Sequence, residues 1–453
     1  MKRGVVICLM AVLVGGCVDQ PAQPPATAPV ASRAPAQRVP TKPYLNMPES
    51  ADGAIPELLS RTGAFADLRT LTPARGLLPY DLVLAFWSDS AQKARYVAIP
   101  EGKVRFSPTG EWQFPPGTVF TKTFELPVDA AQPQRMRRLE TRLLVIGTGG
   151  NVYGATYKWR ADLSDADLLP DSAAESVSIR DAAGRSHAQE WYYPGRKDCV
   201  TCHNSHTPGQ LGLKTRQMNR DLRYPDGTTE NQLLHWNRLG LFEPALDERA
   251  SAAYPTLARG DDTSRSLEDR ARSYLDANCS QCHRPGGTVA NFDARYDTPL
   301  AEQMIIDGQV LIDEGIDRAR VISPHDPWRS IMLMRVNTNG DVRMPPLARK
   351  TIDAKGVALL TAWVESMPGR DVLAPPAIAP AGGEFKGPVT VTMSSKDAGA
   401  EIRYTLDGSA PGASDALYTG PIRVEGPTVL RARAYKEGYT RSVIAQQTYV
   451  IGQ

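Results

Sequence analysis

Two copies of the pentapeptide Cys-x-x-Cys-His constrain this chain more than any other feature. They are Cys199–His203, the first motif, and Cys279–His283, the second motif. This spacing attaches a c-type haem, because the two thiols bond to the porphyrin edge and the histidine binds the iron. We therefore predict two covalently bound haem c groups, with His203 and His283 as axial ligands of the irons. The thiols that carry the haems are Cys199, Cys202, Cys279 and Cys282.

A zinc ribbon and a thioredoxin-like redox pair are the other common uses of Cys-x-x-Cys. A zinc ribbon usually places its two cysteine pairs closer together than in this chain, and it belongs in a reducing compartment. A thioredoxin-like pair needs a single motif in a βαβ context. Here both pairs are followed directly by histidine, which favours haem attachment over both alternatives.

The first residues have the pattern of an export signal, which we place at residues 1–17. Lys2 and Arg3 precede the short apolar stretch Val5–Val14, as in a secretory signal peptide. The segment that ends in Gly16-Cys17 resembles a bacterial lipobox, in which Cys17 becomes the lipidated residue; an ordinary signal peptide is the alternative. We expect an exported protein, lipid-anchored on the periplasmic face of a membrane or at the cell surface. A Pro/Ala-rich linker, residues 18–44, follows.

Composition excludes some classes of partner. The chain has 453 residues, with 52 Lys and Arg against 50 Asp and Glu. It has no basic cluster interleaved with aromatic residues, so we expect no nucleic-acid partner. After the N-terminal segment, no apolar run is long enough to span a bilayer. We therefore expect the membrane to be contacted through the N-terminal lipid anchor.

Residues 45–194 show the patterns of β-structure. The run Phe120–Leu126 alternates apolar residues with Thr and Glu, which predicts a strand with one solvent-facing side. Gly147–Asn151 and Ala182–Arg185 have turn composition between apolar runs, so each predicts a hairpin. The region has no cysteine and no recognisable catalytic cluster. We interpret it as a scaffold that covers haem edges or docks a partner.

Two helices are predicted around the second motif. Ser266 and Asp269 resemble a capping box, and the apolar stripe that follows predicts a helix leading into Cys279. Asp353–Met367 has the same periodicity, with Pro368 beyond its end, which predicts a second helix.

Met344 is the predicted second axial ligand of the haem at His283. It is followed by two prolines that stiffen the loop, and thioether ligation raises the reduction potential and fills the sixth position of the iron. Met332 and Met334 lie in an apolar run, where packing in the core is the better interpretation.

The second axial ligand of the haem at His203 has several candidates. His206 is too close in sequence to reach the opposite face of the ring. Met218, His235 and His187 can all reach it. We rank Met218 first and His235 second, and an open position is the third possibility.

Several of these motifs carry family resemblances. The order of helix, Cys-x-x-Cys-His, Met-Pro-Pro loop and helix resembles a class I cytochrome c over residues 264–370. More widely, the chain is similar to a bacterial family of exported di-haem c-type cytochromes, which implies haem binding and electron transfer. That family commonly has leucine where this chain has Met218. The residues that carry the wider resemblance are both motifs, Pro79–Leu82, Leu139–Leu143, Thr215–Arg220 and Asn231–Leu233.

The last segment, residues 371–453, resembles a different module. Ile402–Ser409, Leu417–Ile422 and Leu430–Ala434 are similar to the small β-sandwich found at the C-terminus of chitobiases and β-hexosaminidases. This module is an accessory, so it implies no glycosidase activity. Carbohydrate contact through it is the weakest of our functional hypotheses.

Together these observations predict a multidomain α+β protein. We expect a mainly-β domain (45–194), a first haem-binding segment (195–263), an α-helical class I cytochrome c-like domain (264–370) and an Ig-like β-sandwich (371–453). The expected function is that of an electron carrier between redox protein partners. The alternative is a di-haem peroxidase-like enzyme with an open site at the first haem, and the sixth ligand there distinguishes the two.

Overall fold

The computed structural model describes residues 38–204, 209–287, 291–347 and 349–452. The predicted signal with Cys17, most of the predicted linker, and His206 lie outside these residues. Among the helices of the described ranges, none is both long and apolar enough to cross a membrane.

The N-terminal region consists of strands preceded by a short 3-10 helix, Leu59–Thr62. The strands are β1 (Phe65–Asp67), β2 (Thr72–Pro73), β3 (Leu78–Pro79), β4 (Gln92–Ala98), β5 (Val104–Arg105), β6 (Val119–Pro127), β7 (Met136–Ile146), β8 (Val152–Trp159), β9 (Ala166–Leu168), β10 (Ala173–Arg180) and β11 (Ser186–Tyr193). A six-stranded antiparallel sheet, in the order β3-β4-β6-β7-β8-β9, organises the region. The predicted hairpins are confirmed, since β7 pairs with β8 and β10 with β11.

Both faces of this sheet are buried, so the predicted solvent-facing side of the strand at Phe120–Leu126 is wrong. Thr121 and Thr123 are each only 1% exposed. The N-terminal segment packs over their face through residues such as Leu59 and Leu71. Thr123 can be buried there because its hydroxyl hydrogen-bonds across the strands to that of Thr141, at 2.7 Å.

The region after the sheet shares its core. Met218, Leu233 and Trp236 pack in one cluster with Trp112 and Phe120 of the N-terminal region, and the last strand of the region pairs parallel with β5. A 3-10 helix, Glu248–Ala253, closes this part of the chain. The other elements are α1 (Arg196–Cys202), α2 (Thr215–Met218), β12 (Asp221–Arg223), β13 (Thr229–Asn231), α3 (Gln232–Arg238) and β14 (Phe242–Glu243).

The second motif lies between helices that pack on each other. The helices here are α4 (Leu267–Asn278), α5 (Ile331–Val336) and α6 (Ala354–Ser366), with a 3-10 turn at Leu300–Glu302. Ser266 caps α4 by accepting from the Asp269 amide, and Asp353 caps α6 by accepting from that of Gly356. Both predicted helices are therefore confirmed, because their signals are local: a capping side chain followed by an apolar stripe.

The C-terminal region is a β-sandwich, as predicted. Its strands are β15 (Ala377–Ala379), β16 (Gly383–Phe385), β17 (Val389–Ser394), β18 (Glu401–Thr405), β19 (Ala416–Leu417), β20 (Ile422–Val424), β21 (Thr428–Tyr435) and β22 (Ala445–Ile451). A three-stranded sheet (β15-β17-β20) and a five-stranded sheet (β16-β22-β21-β18-β19) enclose a core that includes Val391, Leu430 and Tyr449.

Buried arginines join the sandwich to the segment before α5. The guanidinium of Arg329 binds the Asp326 carboxylate at 2.8 Å and reaches the backbone carbonyl of Arg441 at 3.2 Å. Arg433 of β21 binds Asp317 at 3.0 Å. These contacts satisfy guanidinium groups that would be costly to bury unpaired.

The expected α+β architecture with α-helical cytochrome c-like haem domains is wrong. Strands predominate in the part of the chain that the structure describes, with 30% of its residues in strands and 16% in helices. Apart from α4 and α6, the α-helices of the described residues have seven or fewer residues. Between the second motif and α5, left-handed backbone at Met304, Asp307 and Glu314 interrupts helix propagation, because such conformations do not continue a right-handed helix.

Candidate functional site

The first motif lies on the short helix α1, held at the end of β11. The Asp198 carboxylate accepts hydrogen bonds from the Gly195 amide, at 2.9 Å, and from the Tyr192 hydroxyl, at 2.7 Å. Beneath the helix, Gly154 of β8 faces Cys199, and a Cβ at Gly154 would lie 2.6 Å from the Cys199 sulfur. The first motif can therefore approach the sheet because Gly154 has no side chain.

His203 follows α1 directly and has a fixed ring orientation. Its Nδ1 donates a hydrogen bond to the Gly209 carbonyl at 2.5 Å, so Nε2 is the nitrogen that can bind a metal. Burial, and after it the nearby Lys122 and Arg142 charges, lowers the pKa of His203 to about 4, although the hydrogen bond to Gly209 acts in the opposite direction. The ring is therefore neutral at pH 7, which is the form that binds iron.

The second motif begins where α4 ends, at Cys279. The His283 ring stacks on Phe292, with ring centroids 4.2 Å apart and planes inclined by 12°. Burial, and after it the Arg335 charge, lowers the pKa of His283 to about 4. Its Nδ1 is buried without a hydrogen-bond partner among the described residues, which is unusual for a buried polar atom.

An apolar cleft adjoins the second motif. Cys279, His283 and Met344 all line it, so the structure brings the predicted ligands of the second haem to one place. The cleft encloses about 840 Å³, part of it open to solvent. Its lip carries Leu311 and Ile312, whose side chains are 60% and 61% exposed. Exposed aliphatic residues beside an apolar cleft are typical of a binding site for a large apolar ligand.

The two motifs meet in the fold, which the sequence did not predict. The thiol of Cys202 hydrogen-bonds to the sulfur of Cys282. This contact lowers the pKa of Cys282 to about 7 and raises that of Cys202. No local sequence signal could have revealed it, because it depends on how α1 and the end of α4 are packed together.

Three long-range contacts hold the second motif against the earlier regions. Lys214 forms an ion pair with Asp276 of α4 at 2.5 Å, with both side chains at most 5% exposed. The Trp87 amide donates to the Asn278 side-chain oxygen at 2.8 Å. Arg284, directly after the second motif, pairs with Glu111 at 2.9 Å.

The candidate second ligands of the first haem have varied surroundings. Met218 is fully buried in the core beside Trp236, and hydrophobic packing alone accounts for a methionine in that position. His235 of α3 stacks on Tyr224 with centroids 3.8 Å apart, and its Nδ1 lies 3.6 Å from Glu230. His187 is exposed on β11. The ligand roles of Met218 and His235 stay predictions.

A basic residue that sequence reasoning missed lies near the first motif. Lys122 of β6 occupies the same face of its strand as Phe120 and Phe124, and it stands opposite Arg95 and Arg142. The sequence does contain a signal for it. Residues two apart on a strand share one face, so Lys122 could have been recognised as a lysine on the same face as the apolar residues of its strand.

Comparison with known proteins supports the C-terminal module. The family model described as chitobiase/beta-hexosaminidase C-terminal domain matches residues 380–446, which confirms the predicted sandwich type. No curated protein and no solved structure matches the chain significantly.

The prediction that this chain belongs among the metal-binding c-type cytochromes is wrong according to the family comparison. No cytochrome c family is matched over either motif. In the described ranges, no group of three or more His, Cys, Asp or Glu side chains is placed to hold a metal ion. Each motif supplies two thiols and a histidine, but in the described residues these three side chains do not converge on one point in either motif.

Proposed function

We propose that this chain is a di-haem electron-transfer protein, with one c-type haem on each motif. The observation that carries the proposal is the meeting of the two motifs through Cys202 and Cys282. In a c-type haem a single carbon separates each thioether sulfur from the porphyrin ring, so haems on touching cysteines would have their edges close together. Adjacent haem edges suit the passage of electrons from one iron to the other. The Cys-x-x-Cys-His spacing of both motifs supports the same function.

The residues present fit such a group. A haem brings four nitrogen ligands and supplies reversible one-electron chemistry at its iron, so the protein needs to add only one or two ligands. At the second motif these are His283 and Met344, which line one apolar cleft. The exposed Leu311 and Ile312 at its lip would be covered by the ring, which removes an otherwise unfavourable apolar surface.

The carrier is favoured over a peroxidase-like enzyme by the surroundings of the first motif. A peroxidase needs an available acid–base group near the open iron. Glu140, a carboxylate whose charge acts on Cys199, is fully buried and accepts hydrogen bonds from Arg142 and from the Trp191 indole. It is therefore committed to structural contacts. We place the carrier outside the cytoplasm, tethered through Cys17, between redox protein partners.

Haem content tests this proposal. The full chain would be produced in a host with a c-type haem assembly system, and covalent haem per chain would be measured by the pyridine haemochrome assay. We expect two haems in the wild type. A C199A/C202A variant and a C279A/C282A variant should each retain one. A wild type without covalent haem would refute the proposal.

Electron paramagnetic resonance of the ferric protein separates the carrier from the enzyme. Two low-spin signals are expected, because a carrier keeps both irons six-coordinate. A high-spin signal of comparable weight, lost in the C199A/C202A variant, would instead indicate an open site at the first haem and favour the peroxidase-like alternative.

A further inference from the structure

Lys122 lies on the apolar face of β6. Side chains two residues apart on a strand point to the same side, so Lys122 shares its face with Phe120 and Phe124. Both phenylalanines are buried in core clusters. A lysine placed among them costs free energy unless its charge is compensated.

Two more cations stand directly opposite it. In the register of the sheet, Lys122 faces Arg95 on β4 and Arg142 on β7. We call these three residues the basic row. Like charges opposite one another on adjacent strands are destabilising, so the arrangement requires anions nearby.

The protein's own carboxylates compensate only part of this charge. Arg95 pairs with Asp81 and Arg142 with Glu140, each at 2.6 Å. No carboxylate in the described part of the chain lies within ion-pair distance of Lys122.

Lys93, on the same face of β4, has no carboxylate partner either: its ammonium donates to the Phe86 carbonyl at 2.8 Å, and the described residues place no ion pair on it. Burial, followed by the Arg95 charge, lowers the pKa of Lys122 to about 7 and that of Lys93 to about 6. The Glu140 charge acts on Lys122 and the Asp89 charge on Lys93 without forming an ion pair, so two buried amines remain without a carboxylate in direct contact.

The basic row lies beside the first motif. Gly154 pairs with Leu144 and Thr156 with Arg142, so Gly154 is on the same face of the sheet as Arg142. The Cys199 sulfur packs on that glycine. The charges of Lys122 and Arg142 also act on the His203 ring.

We propose that the basic row, together with Lys93, binds the two propionate carboxylates of the haem carried by the first motif. This inference rests on the proposed function. A haem attached through its vinyl edge carries its carboxylates on another edge of the same ring. Two carboxylates match the two buried amines that have no carboxylate in direct contact, and their negative charge would keep both amines protonated. Lysine–carboxylate hydrogen bonds are charge-assisted and about twice as strong as neutral ones.

A charge-removing variant, Lys122→Met, tests the site in the full-length protein with its haems. The methionine keeps the length of the side chain and suits the apolar face, so the fold should be retained. We expect two covalent haems and a lowered reduction potential for one of them, because loss of a nearby positive charge stabilises the ferric state. The other potential should stay unchanged in a spectroelectrochemical titration.

Two control variants make the result specific. Lys158→Met removes a lysine from the same sheet, but one that is ion-paired with Glu175, and it should leave both potentials unchanged. Lys122→Arg keeps the charge and should restore the wild-type potential.

Two outcomes would overturn the inference while leaving the proposed function intact. One is a Lys122→Met protein with two haems and two wild-type potentials. The other is binding of soluble succinate to the wild-type haem protein but not to Lys122→Met in calorimetry, which would show that the row serves a free dicarboxylate. A wild-type chain without covalent haem would instead refute the proposed function itself.

Discussion

At the scale of single residues, the close approach of the first motif to the sheet depends on Gly154. The glycine leaves room for the Cys199 sulfur directly above the strand, and any side chain would occupy that space. Protein interiors are packed densely enough that a single added methyl group has to displace its neighbours. The position of Cys199 is therefore determined as much by its neighbour in the sheet as by its own helix.

Gly154→Val should displace α1 from the sheet. The added side chain overlaps the Cys199 sulfur and Cβ, so we expect a loss of unfolding free energy of about 1–3 kcal/mol and reduced haem attachment at the first motif. Urea unfolding and the haem-to-chain ratio would measure both. Gly420→Val, where an added Cβ meets no atom within 4 Å, is the control. A Gly154→Val protein with wild-type stability and haem content would contradict the argument.

At the scale of elements, α4 and α6 approach each other at a small residue. A Cβ at Gly356 would lie 2.4 Å from the Tyr274 ring, so the glycine sets the separation of the two helices. Since α4 ends at Cys279, a change in this crossing moves the start of the second motif. The helix contact therefore links packing to the geometry of the cleft.

Gly356→Ala should destabilise the protein although alanine is the better helix former. The helix propensity gain of about 1 kcal/mol is outweighed by the overlap with Tyr274, for which overpacking costs of about 1–3 kcal/mol are usual. Guanidinium unfolding would measure the difference. The double variant Gly356→Ala/Tyr274→Leu should recover stability, because the smaller side chain makes room. A stabilised single variant would show that the crossing adjusts without strain.

At the scale of the whole molecule, buried polar contacts join regions that are distant in sequence. The Lys214–Asp276 pair is the clearest, since both charges are removed from water. Such pairs add little net stability compared with apolar residues, but breaking one partner leaves an uncompensated charge. Their value here is positional, because this pair holds α4 next to α2.

Lys214→Met should cost about 3–5 kcal/mol of unfolding free energy, because Asp276 would remain buried without its cation. Removing the second charge as well, in Lys214→Met/Asp276→Asn, should recover much of that loss. Arg259→Met breaks a pair of which both members are exposed, and it should change stability by less than about 1 kcal/mol. If Lys214→Met and Arg259→Met lowered the unfolding free energy equally in chemical denaturation, the positional role of the Lys214–Asp276 pair would be refuted.

The parts of the fold that could be predicted are those with local signals. The caps and stripes of α4 and α6, the hairpins, and the C-terminal sandwich were all visible in short stretches of sequence. The buried Thr121 and the contact of Cys202 with Cys282 were not, because they arise from segments far apart in the chain. The helical expectation failed for a related reason. Two real helices were extended to whole domains, whereas the described chain between them forms mainly turns and the short helix α5, and strands predominate in the other regions.

The contact between Cys202 and Cys282 has a consequence for the order of assembly. In an oxidising compartment, neighbouring thiols cross-link, so a chain that folded before haem attachment would sequester these sulfurs from the attachment machinery. Maturation and folding would thus compete for the same two atoms. On the proposed function, the chain would have to receive its haems while still open, and the finished fold would then close over them.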